Sequence, residues 1–126
     1  MVFSDPAVTP SETLPQVLLA RATSTPTKLA ERHKRLGIWR EFTWADVLDR
    51  VRALALGLEN LGLSAGESVM MIGENEPEHF WAEYAVQSLG GKVLSVYPDQ
   101  TAEEILYLAE DSQTRIFLAQ DQEQVD

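Results

Sequence analysis

The chain has 126 residues, 44% hydrophobic and 24% charged, with no cysteine and a formal net charge of −10. That length suits one domain with its own core, since a domain typically has about 100–150 residues. The lack of cysteine excludes disulfides and thiolate metal sites, and fits a cytoplasmic protein. No apolar run approaches the roughly 18 residues of a membrane span, and the opening MVFSDPAVTPSE lacks the basic and apolar regions of a signal peptide. The charge is unevenly spread. Residues 1–52 hold 8 Lys/Arg and 6 Asp/Glu, whereas residues 53–126 hold 2 Lys/Arg (Lys92 and Arg115) and 14 Asp/Glu. So acidic a second half repels nucleic acid, whose non-specific affinity comes from phosphate neutralisation. It equally repels an anionic membrane surface.

Residues 1–12, with Pro6 and Pro10 among small polar residues, read as a flexible arm, and residues 13–126 as the folded part. A helix is expected over 14–24, stopping near Pro26. Residues 28–33 and 38–42 flank Leu36-Gly37 as an antiparallel hairpin. Over 44–61, Val47, Leu48, Val51, Leu54, Ala55, Leu58 and Leu61 form one stripe at spacings of three and four, closed by Gly62. Val69–Ile72 is a short apolar run, followed by a helix over 76–89 that carries Phe80, Trp81, Tyr84, Ala85 and Leu89 and ends at Gly90-Gly91. Val93–Tyr97, a helix over 102–111 and Ile116–Ala119 complete the series. The three runs are mostly continuous rather than alternating, as befits parallel strands covered on both faces.

The fold class is therefore α/β. A three-stranded parallel βαβαβ portion of a larger sheet is preceded by a helix, a β-hairpin and an amphipathic helix. Four helix starts share one signature, a capping residue three positions before an acid or amide: Thr13/Gln16, Thr43/Asp46, Asn75/Glu78 and Thr101/Glu104. This is the spacing of the capping box, in which each side chain satisfies the other's backbone N–H.

The turn in MMIGENEPEHF (70–80) invites a phosphate-site reading, because strand, glycine, helix is a common anion cradle. It has one glycine and no lysine, and Glu74, Glu76 and Glu78 crowd the helix start. Those acids compete with a phosphate for the helix dipole, so the turn reads as a connector. His79 and Glu83 lie one helical turn apart without further ligands, His33 falls in the hairpin, and a metal site needs three or four. Asp46, Asp49 and Asp111 sit on polar helix faces or ends without an acid–base partner. Trp39, Trp44 and Trp81 read as core or hairpin packing, since an aromatic nucleic-acid platform needs a basic groove. Ligand crevices in open α/β sheets lie outside the carboxyl ends of strands. That rim holds Gly73–Asn75, Tyr97–Asp99 and Ala119–Asp121, with Asn75, Tyr97 and Pro98 as its ligand-side candidates.

Several segments in order and spacing carry a resemblance over about residues 14–126. Phe42-Thr43-Trp44 opening a helix, GLSAGESVMMIGENEPEHF, GKVLSVYP, AEEI and the final DQEQVD are similar to the N-terminal part of AMP-forming acyl-CoA synthetases, the adenylate-forming ligases. Their closest likeness is to the long-chain fatty-acid branch. The resemblance implies an enzyme that joins ATP and a carboxylate into an acyl-adenylate, after which CoA thiol displaces AMP. ATP, Mg and CoA are cofactors of that full-length enzyme. Its phosphate loop, nucleotide contacts and catalytic lysine lie downstream of the region seen here. The resemblance therefore implies no catalytic, cofactor-binding or metal residue in these 126, and an inactive N-terminal fragment. Its partners would be the rest of the ligase chain, fatty acid and CoA, with a homodimer as a further option and no nucleic acid. The full-length enzyme would be cytoplasmic or peripheral to the membrane. Gln100 stands where relatives often carry a small residue, which bears on acyl preference. The competing reading is a stand-alone flavodoxin-like or receiver-like binding module. A receiver wants a lysine on a late strand, and none follows Lys92.

Overall fold

A computed structural model describes residues 12–125; most of the expected N-terminal arm, residues 1–11, lies outside them. The elements run α1 (Leu14–Ser24), β1 (Leu29–Arg35), β2 (Ile38–Thr43), α2 (Trp44–Asn60), β3 (Ser68–Ile72), α3 (Pro77–Ser88), β4 (Lys92–Val96), α4 (Ala102–Ser112), β5 (Ile116–Ala119) and a 3-10 turn (Gln122–Gln124). β1 and β2 form an antiparallel hairpin, while β4, β3 and β5, in that order, form a parallel sheet. The α/β class, the βαβαβ topology and the preceding helix, hairpin and helix are as expected.

β1 runs to Arg35, two residues beyond the expected strand, because Leu36 and Gly37 (φ 50° and 80°) make a two-residue turn. Positive φ at both positions matches the twist of the flanking strands. Nearer the body, the register slips between Leu29 and Glu31, and Thr43 ends the hairpin as the cap of α2.

Three of the four expected caps form. The Asp46 carboxylate accepts from the Thr43 N–H (2.8 Å), and Thr43 Oγ1 accepts from the Asp46 N–H (3.2 Å). Thr101 and Glu104 repeat this at 2.9 and 3.3 Å, and Gln16 Oε1 accepts from the Thr13 N–H at 2.8 Å. The fourth differs. Glu76, not Asn75, occupies the N-cap of α3 and makes no side-chain cap bond. Pro77 at the first helical position explains this: its ring fixes a helical φ, so the helix starts there without a box.

The sheet packs unequally on its two faces. Val69 and Met71 of β3 point into the main core with Val47, Val51 and Leu58 of α2, Trp81, Ala85 and Val86 of α3, and Leu18 of α1. Met70 and Ile72 point the other way, joined by Val96 and covered by Ile105, Leu108 and Ala109 of α4, none of them fully buried. Two-sided burial therefore holds for β3, whereas β5 alternates half-buried and exposed positions. Phe117 is half exposed on the side α4 serves. Both outer strands are edges, and one helix cannot roof three strands. Leu61, the last residue of the expected stripe, is exposed at the end of α2.

Candidate functional site

The carboxyl ends of β3 and β5 are neighbours in space, although α3, β4 and α4 separate them in sequence. Between them opens a cleft of about 570 Å³, within the range of small-molecule sites. Leu54, Met71, Ala82 and Leu118 make its apolar floor. Glu74, Glu76, Glu78 and Asp121 stand at its mouth beside Arg35 and His79. Gly73, Glu74, Ala119, Gln120 and Asp121 of the expected rim line it; Asn75, Tyr97 and Pro98 are exposed and do not.

A side chain from the neighbouring strand closes the phosphate-like turn. The Gln120 N–H donates to the Ile72 carbonyl (3.0 Å), extending the ladder, and its side-chain Oε1 accepts from the Glu74 N–H at 2.6 Å. Gly73 makes room for this, since a Cβ there would meet Gln120 Cβ and Oε1 at 3.0 Å. The Gln120 side chain thus holds the amide that an anion would want. With four carboxylates around the mouth and one arginine, the residues present do not fit a nucleotide phosphate. Gln120 gave no signal in the sequence, because its partner lies 46 residues away.

The hairpin docks beside this cleft through polar groups on one face. Glu31 Oε2 accepts from Trp81 Nε1 (2.8 Å), and Phe42 packs edge-on to the Trp81 ring with centroids 5.0 Å apart. Burial holds the Glu31 carboxyl above the usual range; the indole N–H opposes this, and the nearby Glu78 charge adds to it. His33 Nε2 is buried without a hydrogen-bond partner, 3.7 Å from a Glu76 carboxylate oxygen. Glu31, His33 and Phe42 share one face by strand alternation, a pattern legible in the sequence once the turn is placed.

The remaining candidates have structural surroundings. His79 Nε2 lies 3.3 Å from Ser95 Oγ, and Glu83 accepts from Gln87. Asp46 is spent on its cap, and the Thr43 N–H holds its carboxyl below the usual value. Asp49 and Asp111 are exposed. No group of three or more His, Asp or Glu residues is placed to hold a metal among the described residues. Trp81 is core, Trp44 is half-buried against the core, and Trp39, 57% exposed, packs within the hairpin with Arg32 and Lys34 over its ring.

Residues 18–126 match the model of the AMP-binding enzyme family. The chain belongs to that family. Among AMP-binding enzymes, it is 29% identical over 84 residues to the long-chain-fatty-acid–CoA ligase FadD15 of Mycobacterium bovis, covering 67% of this chain and 14% of that ligase. The N-terminal subdomain of Klebsiella oxytoca NpsA superposes with a TM-score of 0.77 at 20% identity, over 87% of this chain and 28% of that one. The fatty acid AMP ligase from Legionella pneumophila gives 0.78 at 19% identity, over 85% and 19%. At these identities the two structures establish the fold. The chain thus spans about a seventh of its AMP-binding relative FadD15 and overlays N-terminal subdomains, as its resemblance to the N-terminal part of acyl-CoA ligases implies.

Proposed function

We propose that the chain is the N-terminal part of a long-chain fatty-acid–CoA ligase. That ligase converts ATP, fatty acid and CoA into acyl-CoA, AMP and pyrophosphate, with Mg as the nucleotide's metal. The family match supports adenylating chemistry, and the names of relatives such as FadD15 support the long-chain substrate. One observation carries the view that these 126 residues supply scaffold rather than chemistry: Gln120 holds the glycine-turn amide at the sheet rim that resembles an anion cradle, inside an acidic mouth. The rest of the ligase chain then brings the nucleotide and CoA contacts. No step of the reaction is assigned to residues here. Asn75, Tyr97 and Pro98 are proposed as a ligand-side rim on the strength of their place just beyond β3 and β4.

A direct assay follows. The purified chain, given palmitate, ATP and Mg, should show no ATP–pyrophosphate exchange above the protein-free blank. Robust exchange that survives repurification overturns the scaffold reading. The flavodoxin-like or receiver-like alternative predicts saturable flavin binding or a stable aspartyl phosphate, and the family match does not favour it.

A further inference from the structure

The hairpin differs in chemistry from the rest of the molecule. Residues 32–40 hold four of the chain's ten Lys/Arg (Arg32, Lys34, Arg35 and Arg40) and no acid, so six cations are left to face all twenty acids elsewhere. The same nine residues expose Leu36 (95%), Ile38 (70%) and Trp39 (57%), three large apolar side chains at and beside one tight turn. The pairing of Lys34 with Trp39 and of Arg32 with Glu41 puts Trp39, Arg32 and Lys34 on the outward face. Glu31, His33 and Phe42 occupy the inward face that docks on α3. The Arg32 guanidinium carbon and Lys34 Nζ lie 5.7 and 5.8 Å from the Trp39 ring centroid. Glu41 is the acid on the outward face, and Arg32 neutralises it at 2.6 Å. The turn needs φ above zero at its first position, where Asn or Asp is the cheap choice, and Leu36 stands there instead, fully in water.

We propose that the hairpin tip is a docking surface for an anionic lipid bilayer. Leu36, Ile38 and Trp39 enter the headgroup region, while Lys34 and Arg35 beside the turn remain at the level of the lipid phosphates; Arg40, paired opposite His33, lies over the Phe42 ring instead. Two features select a bilayer over a folded partner. A tryptophan with cations above its ring is amphipathic in the way that suits a membrane–water boundary. A convex two-residue tip also penetrates a soft surface, whereas a protein partner needs a matching concavity. Cations near an anionic leaflet gain affinity only within about a Debye length of it. The acidic second half would be repelled by the same surface, so the two together impose one orientation: tip inward, acidic body outward. The proposal is independent of the ligase reading.

The test is co-sedimentation of the 126-residue chain with vesicles of phosphatidylglycerol and phosphatidylcholine in equal parts, against pure phosphatidylcholine and a vesicle-free control. The chain should pellet with the anionic vesicles only, and less so as salt is raised. Leu36→Ser/Trp39→Ser and Lys34→Glu/Arg35→Glu should each weaken partitioning by about tenfold or more. All four side chains are exposed, and an unchanged far-UV spectrum checks that these variants fold. Quenching of tryptophan emission by lipids brominated on the acyl chain should occur in the parent and disappear in Trp39→Phe. Absence of binding overturns the proposal. So does binding that the apolar pair leaves unchanged, which would indicate charge alone, or equal binding to both vesicle types.

Discussion

Two glycines show how the same residue type answers to different constraints. Gly91 follows α3 and folds back against it: an added Cβ would meet Val86 Cγ1 at 2.8 Å, the Val86 carbonyl oxygen at 3.1 Å and the Glu67 carbonyl oxygen at 3.3 Å. Backbone cannot yield there, so Gly91→Ala should cost about 1–3 kcal/mol, as overpacking does. Gly57 lies inside α2, exposed, with nothing within 4 Å of an added Cβ. Gly57→Ala should instead stabilise by about 0.5–1 kcal/mol, the usual helix-interior difference. Urea titration of both variants reads the opposite signs. Glu31 gives a pH test. Its folded-state pKa is raised above 4.5, chiefly by burial. Its ionised form therefore weighs against the fold at neutral pH, and the wild type gains relative stability as pH falls through that raised value. Glu31→Gln keeps an oxygen for Trp81 Nε1 and removes the charge. It should raise the urea midpoint at pH 7, with the advantage fading as pH approaches 4.5. An advantage independent of pH would show that ionisation of Glu31 is not its source.

At the scale of elements, helix ends divide between local and non-local causes. Capping boxes work within four residues, which is why those of Thr13, Thr43 and Thr101 are legible in the sequence. The far ends are equally local. After α2, the Gly62 and Leu63 amides donate to the Glu59 and Leu58 carbonyls, and after α3 the Gly90 and Gly91 amides donate to Gln87 and Val86. That is the paired closure in which a left-handed glycine ends a helix. Asn75 had the spacing of a cap but sits outside the helix, since Pro77 sets the first turn and shifts the cap to Glu76. Thr43→Ala should therefore cost about 1 kcal/mol, whereas Asn75→Ala should stay within about 0.5 kcal/mol of the parent. Thermal melts of the pair decide the point, and a large loss at Asn75 would restore it as a cap.

For the whole molecule, the unequal roofing of the sheet is the dominant feature. Three helices bury one face, one helix half-covers the other, and Phe117 of β5 remains half exposed, as do Leu106 and Tyr107 on α4. Both β4 and β5 present unpaired edges within the described residues. Edges and exposed apolar groups invite pairing, and a larger sheet completed by further chain would satisfy them. In its absence we propose self-association, with a homodimer as the first product. Sedimentation velocity should show a weight-average coefficient that rises with concentration and falls back in Phe117→Lys. A monomer across the range counts against it.

Sequence alone determined whatever depends on neighbours a few residues apart. The helical stripes, three of the four caps, the glycine stops, the place of the hairpin turn at Leu36-Gly37 and the strand–helix alternation all belong here. Those same local patterns, in their order, carried the family resemblance that the family match supports. The charge asymmetry was legible too, but not its geometry, because a count cannot say that Arg32 and Lys34 lie over the ring of an exposed Trp39. Tertiary structure decided what depends on distant partners. Gln120 fills the Gly73–Glu74 turn from 46 residues away, and Glu31 meets Trp81 from 50 away. Strand β5 inserts beside β3 rather than β4, which creates the acidic cleft. A hydrogen bond across the sheet depends on register and strand order. Both follow from how the whole chain shares out its apolar faces, so no local window of residues contains them.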